Sequence, residues 1–332
     1  MNYKDIQNRV KRCRVAVIGD FCLDIYWHAD MRKSELSLET PHFPLPIVQE
    51  RISAGGAGNV VANLLALQPA AVQCIGVLGE DWRGREYQGL LRKLGADVSG
   101  LLVDPRRCTN TYIKPLREGI SAVVYEDPRL DFTNYEPLAS DMESRLLATL
   151  DALQCEVLCV CDQLPFGCIT PAVRAKVCQL GRAGMTVIVD SRDHIGDYSG
   201  VMVKPNELEA GRAFGMDAPM GIEELRQLAS RLSRHTGRPA IVTCGERGCV
   251  TADGECTAHV PAVQVTGETD ICGAGDTFLA ALACATAAGA ALNEAAVLAC
   301  RASSIVVKKI RTTGTASWPE LYQLCLSSRL EA

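Results

Sequence analysis

Apolar residues along this chain gather in short runs of strand length, separated by stretches with helical period. The runs at 14–19, 72–77, 157–161, 185–190 and 240–243 are rich in β-branched residues and bounded by Gly, Pro or charge, which predicts strands. Between them, 58–67, 83–94, 141–153, 170–180, 222–235 and 273–288 carry the spacing of helices. This alternation predicts an α/β fold, a mostly parallel sheet covered on both faces. No repeat, low-complexity tract or linker interrupts it, so a single domain is expected over 1–332. Two stretches break the alternation. Residues 24–51 carry Pro41, Pro44 and Pro46 among alternating apolar positions, and 108–132 alternate again around Gly119. Neither has helical period, so both are expected as antiparallel ribbon inserted into the body. They are either two ordinary surface hairpins or one small sheet covering a ligand site.

Composition narrows the function classes. Of 332 residues, 48% are hydrophobic and 22% charged, and 39 acidic against 34 basic side chains leave a net charge of −5. That balance argues against a nucleic-acid partner, which calls for a basic face. The first fourteen residues are polar and charged, so no signal peptide is expected. The longest apolar run, 278–292, is broken by Thr286 and Gly289 and falls short of the ~20 residues of a membrane span. Sixteen Cys with no secretory signal read as reduced thiols of a cytoplasmic protein. Cys155, Cys159 and Cys161 form the densest group, with neither the paired spacing nor the nearby His of a zinc site, and are expected as small buried apolar residues. There is no G-x-x-x-x-G-K-[ST], no complete G-x-G-x-x-G and no G-x-S-x-G, which disfavours P-loop NTPases, dehydrogenases and α/β-hydrolases.

Four segments carry candidate chemistry. In Asp270-Ile271-Cys272-Gly273-Ala274-Gly275-Asp276 the glycines allow a tight turn into a helix of small residues. Backbone N–H groups converging there form an anion site suited to a transferring phosphoryl group. Asp276 stands where a carboxylate can accept a hydroxyl proton, although an Asp in a first helical turn also suits the helix dipole without any catalysis. Gly55, Gly56 and Asn59 open another helix, the glycines permitting close ligand approach and Asn59 offering both a donor and an acceptor to a sugar hydroxyl; a plain turn and cap explains them equally well. Asp24 follows the first strand, where open α/β sheets bind ligands. Asn206 and Glu209 lie three apart in Lys204-Pro205-Asn206-Glu207-Leu208-Glu209, as oxygen ligands suited to Mg²⁺ or as a charged first turn. Thr243-Cys244-Gly245-Glu246-Arg247-Gly248 closes a strand with a turn able to seat a nucleotide.

Together and in this order, from residue 14 to about 319, these segments resemble the ribokinase-like sugar kinases, a family that includes ribokinase, fructokinase and adenosine kinase. The resemblance implies a three-layer α/β/α body with a β lid, and transfer of the ATP γ-phosphate to a sugar hydroxyl. By position, Asp276 resembles the general base and Gly273, Ala274 and Gly275 the anion hole. Asp24, Gly55, Gly56 and Asn59 resemble sugar contacts, Asn206 and Glu209 the element acting on Mg²⁺, and Thr243, Gly245 and Gly248 the nucleotide turn. Asp270 and the Cys272 carbonyl match ligands of a monovalent cation such as K⁺. Lids of this family often pair across a homodimer. Within it, Gly19-Asp20-Phe21-Cys22-Leu23-Asp24-Ile25-Tyr26-Trp27, Glu39-Thr40-Pro41 and Arg129-Leu130-Asp131-Phe132 are similar to bacterial heptose-7-phosphate kinases, whose usual pattern Phe43 and Lys204 leave. Many of those carry a C-terminal nucleotidyltransferase domain, which is not expected within these residues. Lys114, Arg117 and Arg129 match basic lid positions of that branch and suit an acceptor that already bears a phosphate. A neutral-sugar, fructokinase-like kinase is the alternative within the fold, and a non-catalytic sugar or nucleotide sensor the alternative outside catalysis.

Overall fold

The computed structural model describes residues 2–216, 221–310 and 312–330, with backbone alone for 327–330. The chain opens with α1 (Tyr3–Val10), β1 (Arg14–Gly19), β2 (Phe21–Asp30), β3 (Ile47–Gly56), α2 (Ala57–Ala66), β4 (Ala71–Gly79), α3 (Trp82–Leu94) and β5 (Asp97–Asp104). The second insertion supplies β6 (Thr111–Glu118), β7 (Tyr125–Glu126) and β8 (Leu130–Phe132). Then come α4 (Ser140–Asp151), β9 (Val157–Asp162), α5 (Pro171–Arg182), β10 (Thr186–Ser191), β11 (Met202–Val203), α6 (Glu207–Arg212) and α7 (Ile222–Thr236). The last part holds β12 (Ala240–Thr243), β13 (Cys249–Asp253), β14 (Cys256–Val260), α8 (Ala274–Ala287), α9 (Leu292–Val306) and α10 (Trp318–Leu330).

Nine strands form the large sheet in the order β14-β13-β12-β11-β10-β9-β1-β4-β5. From β12 to β5 every pairing is parallel, and β13 and β14 extend one edge antiparallel. Side chains of a strand alternate between faces, so each central strand feeds two cores. Val15 and Val17 pack in one, Ala16 and Ile18 in the other; Cys159 and Cys161 share the first with them, opposite Leu158 and Val160. The first core also takes residues of α1, α2, α3, α8, α9 and α10, and the second those of α4, α5, α6 and α7. Helix α8 buries an unbroken run, with every residue from Thr277 to Ala285 buried. Its Ala280, Ala281 and Ala283 are small because α2, α9 and the sheet press against it. Overpacking at such positions costs about 1–3 kcal/mol.

The two insertions meet in one five-stranded sheet, in the order β3-β2-β6-β7 with β8 also on β6. Each insertion is the expected antiparallel ribbon, and the joint between them is a pairing the sequence reading did not address. β2–β3, β6–β7 and β6–β8 are antiparallel, but the central β2–β6 pair, which joins the insertions, is parallel from Leu23↔Thr111 to Asp30↔Glu118. Both strands leave the C-terminal edge of the large sheet in the same direction, so they can pair only that way. The segment after β2 leaves Leu36, Leu38 and Phe43 exposed, and Ile47 and Val48 of β3 continue the row. Among the described residues no helix is long and apolar enough to cross a membrane.

Candidate active site

The parallel strands end on one edge of the large sheet, where open α/β folds bind ligands. Asp190 stands at the end of β10, Lys204 directly after β11 and Thr243 at the end of β12. The N-terminus of α8 faces them. Its cap, Gly273, has φ +79°, a left-handed conformation that favours glycine, and a Cβ there would lie 2.6 Å from Asn59 Nδ2. The first amides of a helix lack acceptors of their own and draw anions. The Ala274 N–H donates to the Ile271 carbonyl at 3.1 Å and the Thr277 N–H to the Gly273 carbonyl at 2.9 Å, so neither is free for a ligand.

Asp276 lies in that first turn, and its Oδ2 accepts a 2.7 Å hydrogen bond from Asn59 Nδ2 of α2. Burial pushes its carboxyl up to about 6; Asp190 and Asp24 add to the rise, against the Asn59 hydrogen bond and the Lys204 ammonium. Lys204 is the functional candidate that sequence reasoning passed over. Its side chain is only 3% exposed, its Nζ stands 3.0 Å from Asp190 Oδ2, and it lies 4.0 Å from where a Cβ on Gly275 would be. Burial would lower its pKa, but Asp190, Glu209 and Asp276 outweigh this and hold the ammonium charged above its ordinary range. The signal was present, since a Lys ending the apolar run Val201-Met202-Val203 at a strand's C-terminal end is an unusual charge to bury.

Across the cleft, Gly56 caps α2 at φ +55°, and a Cβ there would strike the Asp20 carbonyl, which accepts from Ala57 N–H at 2.9 Å. A Cβ on Gly55 would come within 2.6 Å of Asp24 Oδ2, so the Asp24 carboxylate lies against this turn. Tyr87 OH steadies the turn by donating to the Gly55 carbonyl at 3.0 Å. Asp20 serves the scaffold, its carboxylate accepting from the N–H groups of Gln163, Leu164 and Cys168 at 2.8–2.9 Å.

The small sheet sets cations around Asp24. In register, Asp24 pairs with Ser53 and Tyr112, and Tyr26 with Arg51 and Lys114, which puts all six on one face. Arg51 lies 4.1 Å over the Tyr26 ring, and Lys114 Nζ stands 3.3 Å from Tyr26 OH. Arg129 covers the Tyr112 ring at 4.3 Å and is ion-paired with Asp131. Burial raises the Asp24 carboxyl, while Lys114, Arg129 and Arg51 pull it down. Arg117 is elsewhere. It pairs in register with Ala29 on the opposite face, and its Nε is 2.7 Å from Asp127. The structure therefore brings Lys114 and Arg129 to Asp24, adds Arg51, and leaves Arg117 apart.

Asn206 and Glu209 share a helical turn and are first of all each other's partners. Asn206 N–H donates to Glu209 Oε2 at 2.8 Å and Glu209 N–H to Asn206 Oδ1 at 2.9 Å, a capping box for α6. Burial and Asp190 raise the Glu209 carboxyl, with Lys204 opposing. Thr243 bridges to Asn206 beside them, and its N–H donates to the Pro205 carbonyl at 2.9 Å. Gly248 closes the following turn at φ +92° against the 260–262 backbone, and Gly245, at φ +57°, faces open space. Asp270 Oδ1 accepts from Cys272 N–H at 2.9 Å, and the Cys272 thiol feels the charges of Lys114 and Asp24 across the cleft.

The chain is 31% identical over 323 residues to the Bifunctional protein HldE of Geotalea uraniireducens, an alignment covering 94% of this chain and 64% of that protein. The chain thus spans less than two thirds of that relative's length. Crystal structures of phosphofructokinase-2 from Escherichia coli superpose at 19% identity over 94% of this chain and 97% of theirs. The TM-score is 0.73 for its complex with potassium and 0.71 for its complex with fructose-6-phosphate. Residues 14–319 match the pfkB family carbohydrate kinase profile, and this chain belongs to that family.

Proposed function

We propose that the chain is an ATP- and Mg²⁺-dependent kinase whose acceptor is a sugar phosphate, a heptose 7-phosphate in particular. The observation that carries this reading is the cluster of Arg51, Lys114 and Arg129 around Asp24 on the cleft-facing side of the small sheet, which acts as a lid. A phosphate dianion needs cationic partners, and a neutral sugar has no use for three. Asp276 accepts the proton of the attacking hydroxyl as its oxygen bonds to the γ-phosphorus and the bond to the ADP oxygen breaks. The amides of the α8 N-terminus and the Lys204 ammonium face the charge carried across, so positioning and electrostatics supply most of the rate. The lid excludes water, the competing acceptor. A heptose 7-phosphate is expected to be turned over with a higher kcat/KM than the unphosphorylated heptose. Arg129→Ala is expected to raise KM for the phosphosugar about tenfold, the scale of one charge-assisted hydrogen bond, with KM for ATP unchanged. Equal or better turnover of neutral hexoses would sink the phosphosugar reading and favour the fructokinase-like one.

The donor set suits Mg²⁺. Mg²⁺ takes oxygen ligands, commonly one or two carboxylates together with substrate phosphates and water, and Glu209 beside Asp190 and Lys204 offers such a carboxylate. When bound, Mg²⁺ neutralises phosphate charge; Glu209, its helix fixed by the capping box, is the carboxylate to hold it through water. Glu209→Gln is expected to raise the Mg²⁺ concentration for half-maximal rate before sugar affinity changes, and a superimposable titration would reduce Glu209 to a helix cap. Asp270 and the Cys272 carbonyl are the proposed K⁺ ligands, and potassium is the cation to try because phosphofructokinase-2 forms a complex with it; equal rates in K⁺ and choline buffers would remove the proposal. The exposed Leu36, Phe43 and Val48 support lid-to-lid pairing of two copies, and a purely monomeric species in sedimentation at tens of micromolar would rule it out. All sixteen cysteines are free thiols, which suits the cytoplasm.

A further inference from the structure

We propose that Asn63 and Thr277, neither of which touches the cleft, are positioning residues that hold the Asn59 amide in the one orientation that donates to Asp276. This rests on the reading of Asp276 as the base. Asn63 and Thr277 are each 1% exposed. Thr277 Oγ1 donates to Asn63 Oδ1 at 2.8 Å. Asn63 Nδ2 donates to the Asn59 carbonyl at 2.9 Å and to Asn59 Oδ1 at 3.3 Å, with the Gly314 carbonyl at 3.5 Å. Asn59 Nδ2 then donates to Asp276 Oδ2 at 2.7 Å.

The direction of this chain is forced at every link. A carboxylate only accepts, so the Asn59 atom facing Asp276 is nitrogen and its Oδ1 points back into the protein. There Asn63 meets two acceptors at once, the Asn59 carbonyl and Oδ1, so its nitrogen faces them and its own Oδ1 faces Thr277. The Thr277 hydroxyl can satisfy that oxygen only by donating. An Asn59 flipped by 180° would set its carbonyl oxygen against the carboxylate and its amide against the Asn63 amide, two repulsive contacts in a dry site. Three donors aligned in series also polarise one another. The groups bearing on Asp276 from the other elements are Asp24 of β2, Cys161 of β9, Asp190 of β10 and Lys204 after β11. Among the described residues none of these four hydrogen-bonds or ion-pairs with Asn63 or Thr277, so the relay can be altered without altering them.

The test compares pH–rate profiles of the full chain for Asn63→Leu, Thr277→Val and Thr277→Ser, together with the titration of the Asp276 carboxyl by ¹³C NMR. Freeing the Asn59 amide weakens the hydrogen bond that favours the ionised base, so the Asp276 pKa and the acid limb of kcat/KM both move up. Losing all of a hydrogen bond to a charged group would move the limb by about one to two pH units, so the partial loss in Asn63→Leu is expected to move it by about one. Thr277→Val, nearly isosteric, is expected to move the limb the same way by less, and Thr277→Ser, which keeps the hydroxyl, to return it toward its original place. A lower plateau with an unmoved limb and an unmoved Asp276 titration in Thr277→Val would overturn the relay, as would a Thr277→Ser profile that matches Thr277→Val. Should Asn63→Leu not fold, the Val–Ser pair decides. The NMR titration reports the relay even if Asp276→Asn turns out active, so failure of the base and failure of the relay are distinct results.

Discussion

Replacing Asp276 with Asn is expected to lower kcat about 10²–10⁴-fold, the usual cost of losing a general base, while KM for ATP changes little. The substitution keeps the shape of the side chain and an oxygen to accept from Asn59 Nδ2, so the α8 N-terminus and its cap remain in place. It removes only the capacity to take a proton. A matching pH signature is expected of the wild-type protein. With the Asp276 carboxyl raised to about 6, the base is ionised above that value and protonated below it, so the rate falls as pH drops through about 6. Such a pKa is well suited to the task, high enough for the carboxylate to attract a proton and low enough for it to be free of one at neutral pH. A variant retaining more than half of the wild-type kcat, or a rate unchanged between pH 7 and 5, would remove Asp276 from the chemistry.

Lys204→Met is expected to lower kcat about 10²–10³-fold, as the loss of one preorganised electrostatic contact does. It should also destabilise the fold by about 3–5 kcal/mol, because the Asp190 carboxylate is left buried without its partner. The two effects can be separated. Adding Asp190→Asn to Lys204→Met removes the orphaned charge and should recover much of the stability, since the pair is coupled, but none of the rate. Lys204→Arg is expected to behave as a loss as well, because a planar guanidinium does not fit a socket shaped for a compact ammonium. A Lys204→Met enzyme within a few-fold of wild-type kcat would mean that this buried lysine only neutralises Asp190 and Glu209.

The alternating α/β body was legible because its strands are short, β-branched and bounded by breakers, so that β1, β4, β9, β10 and β12 stand within one or two residues of the pattern read from the chain. Strand β5 was not foreseen. Gly100 sits in its middle and its pairing to β4 shifts register between Gln73 and Ile75, both of which blur a period of two. Strands β13 and β14 form an antiparallel edge that no crossover helix announces. In the small sheet, parity alone separates Lys114 from Arg117, since residues three apart on a strand point to opposite faces; the sequence held that information once a strand was assumed. Arg51 was different. Its approach to Tyr26 depends on the register of β2 against β3, which the bulge at His28 and Ala29 conceals from any local pattern. The Asn206–Glu209 spacing was read for a metal, and the same spacing writes a capping box, so local sequence could not choose between them.

The burial of the α8 run from Thr277 to Ala285 has a consequence for synthesis. This helix packs against β1, β9, β10 and α2, segments made 80 to more than 200 residues earlier, and its Asp276 is bonded to Asn59 from 217 positions away. Loop closure over such separations comes late in folding. While the chain emerges at about 5–20 residues per second, the first core of the sheet waits several seconds to tens of seconds, with its apolar face open, for the helix that covers it. The growing chain is therefore most exposed to aggregation just before residue 287 appears, and nascent chains halted between β10 and α8 should be the ones that chaperones hold longest.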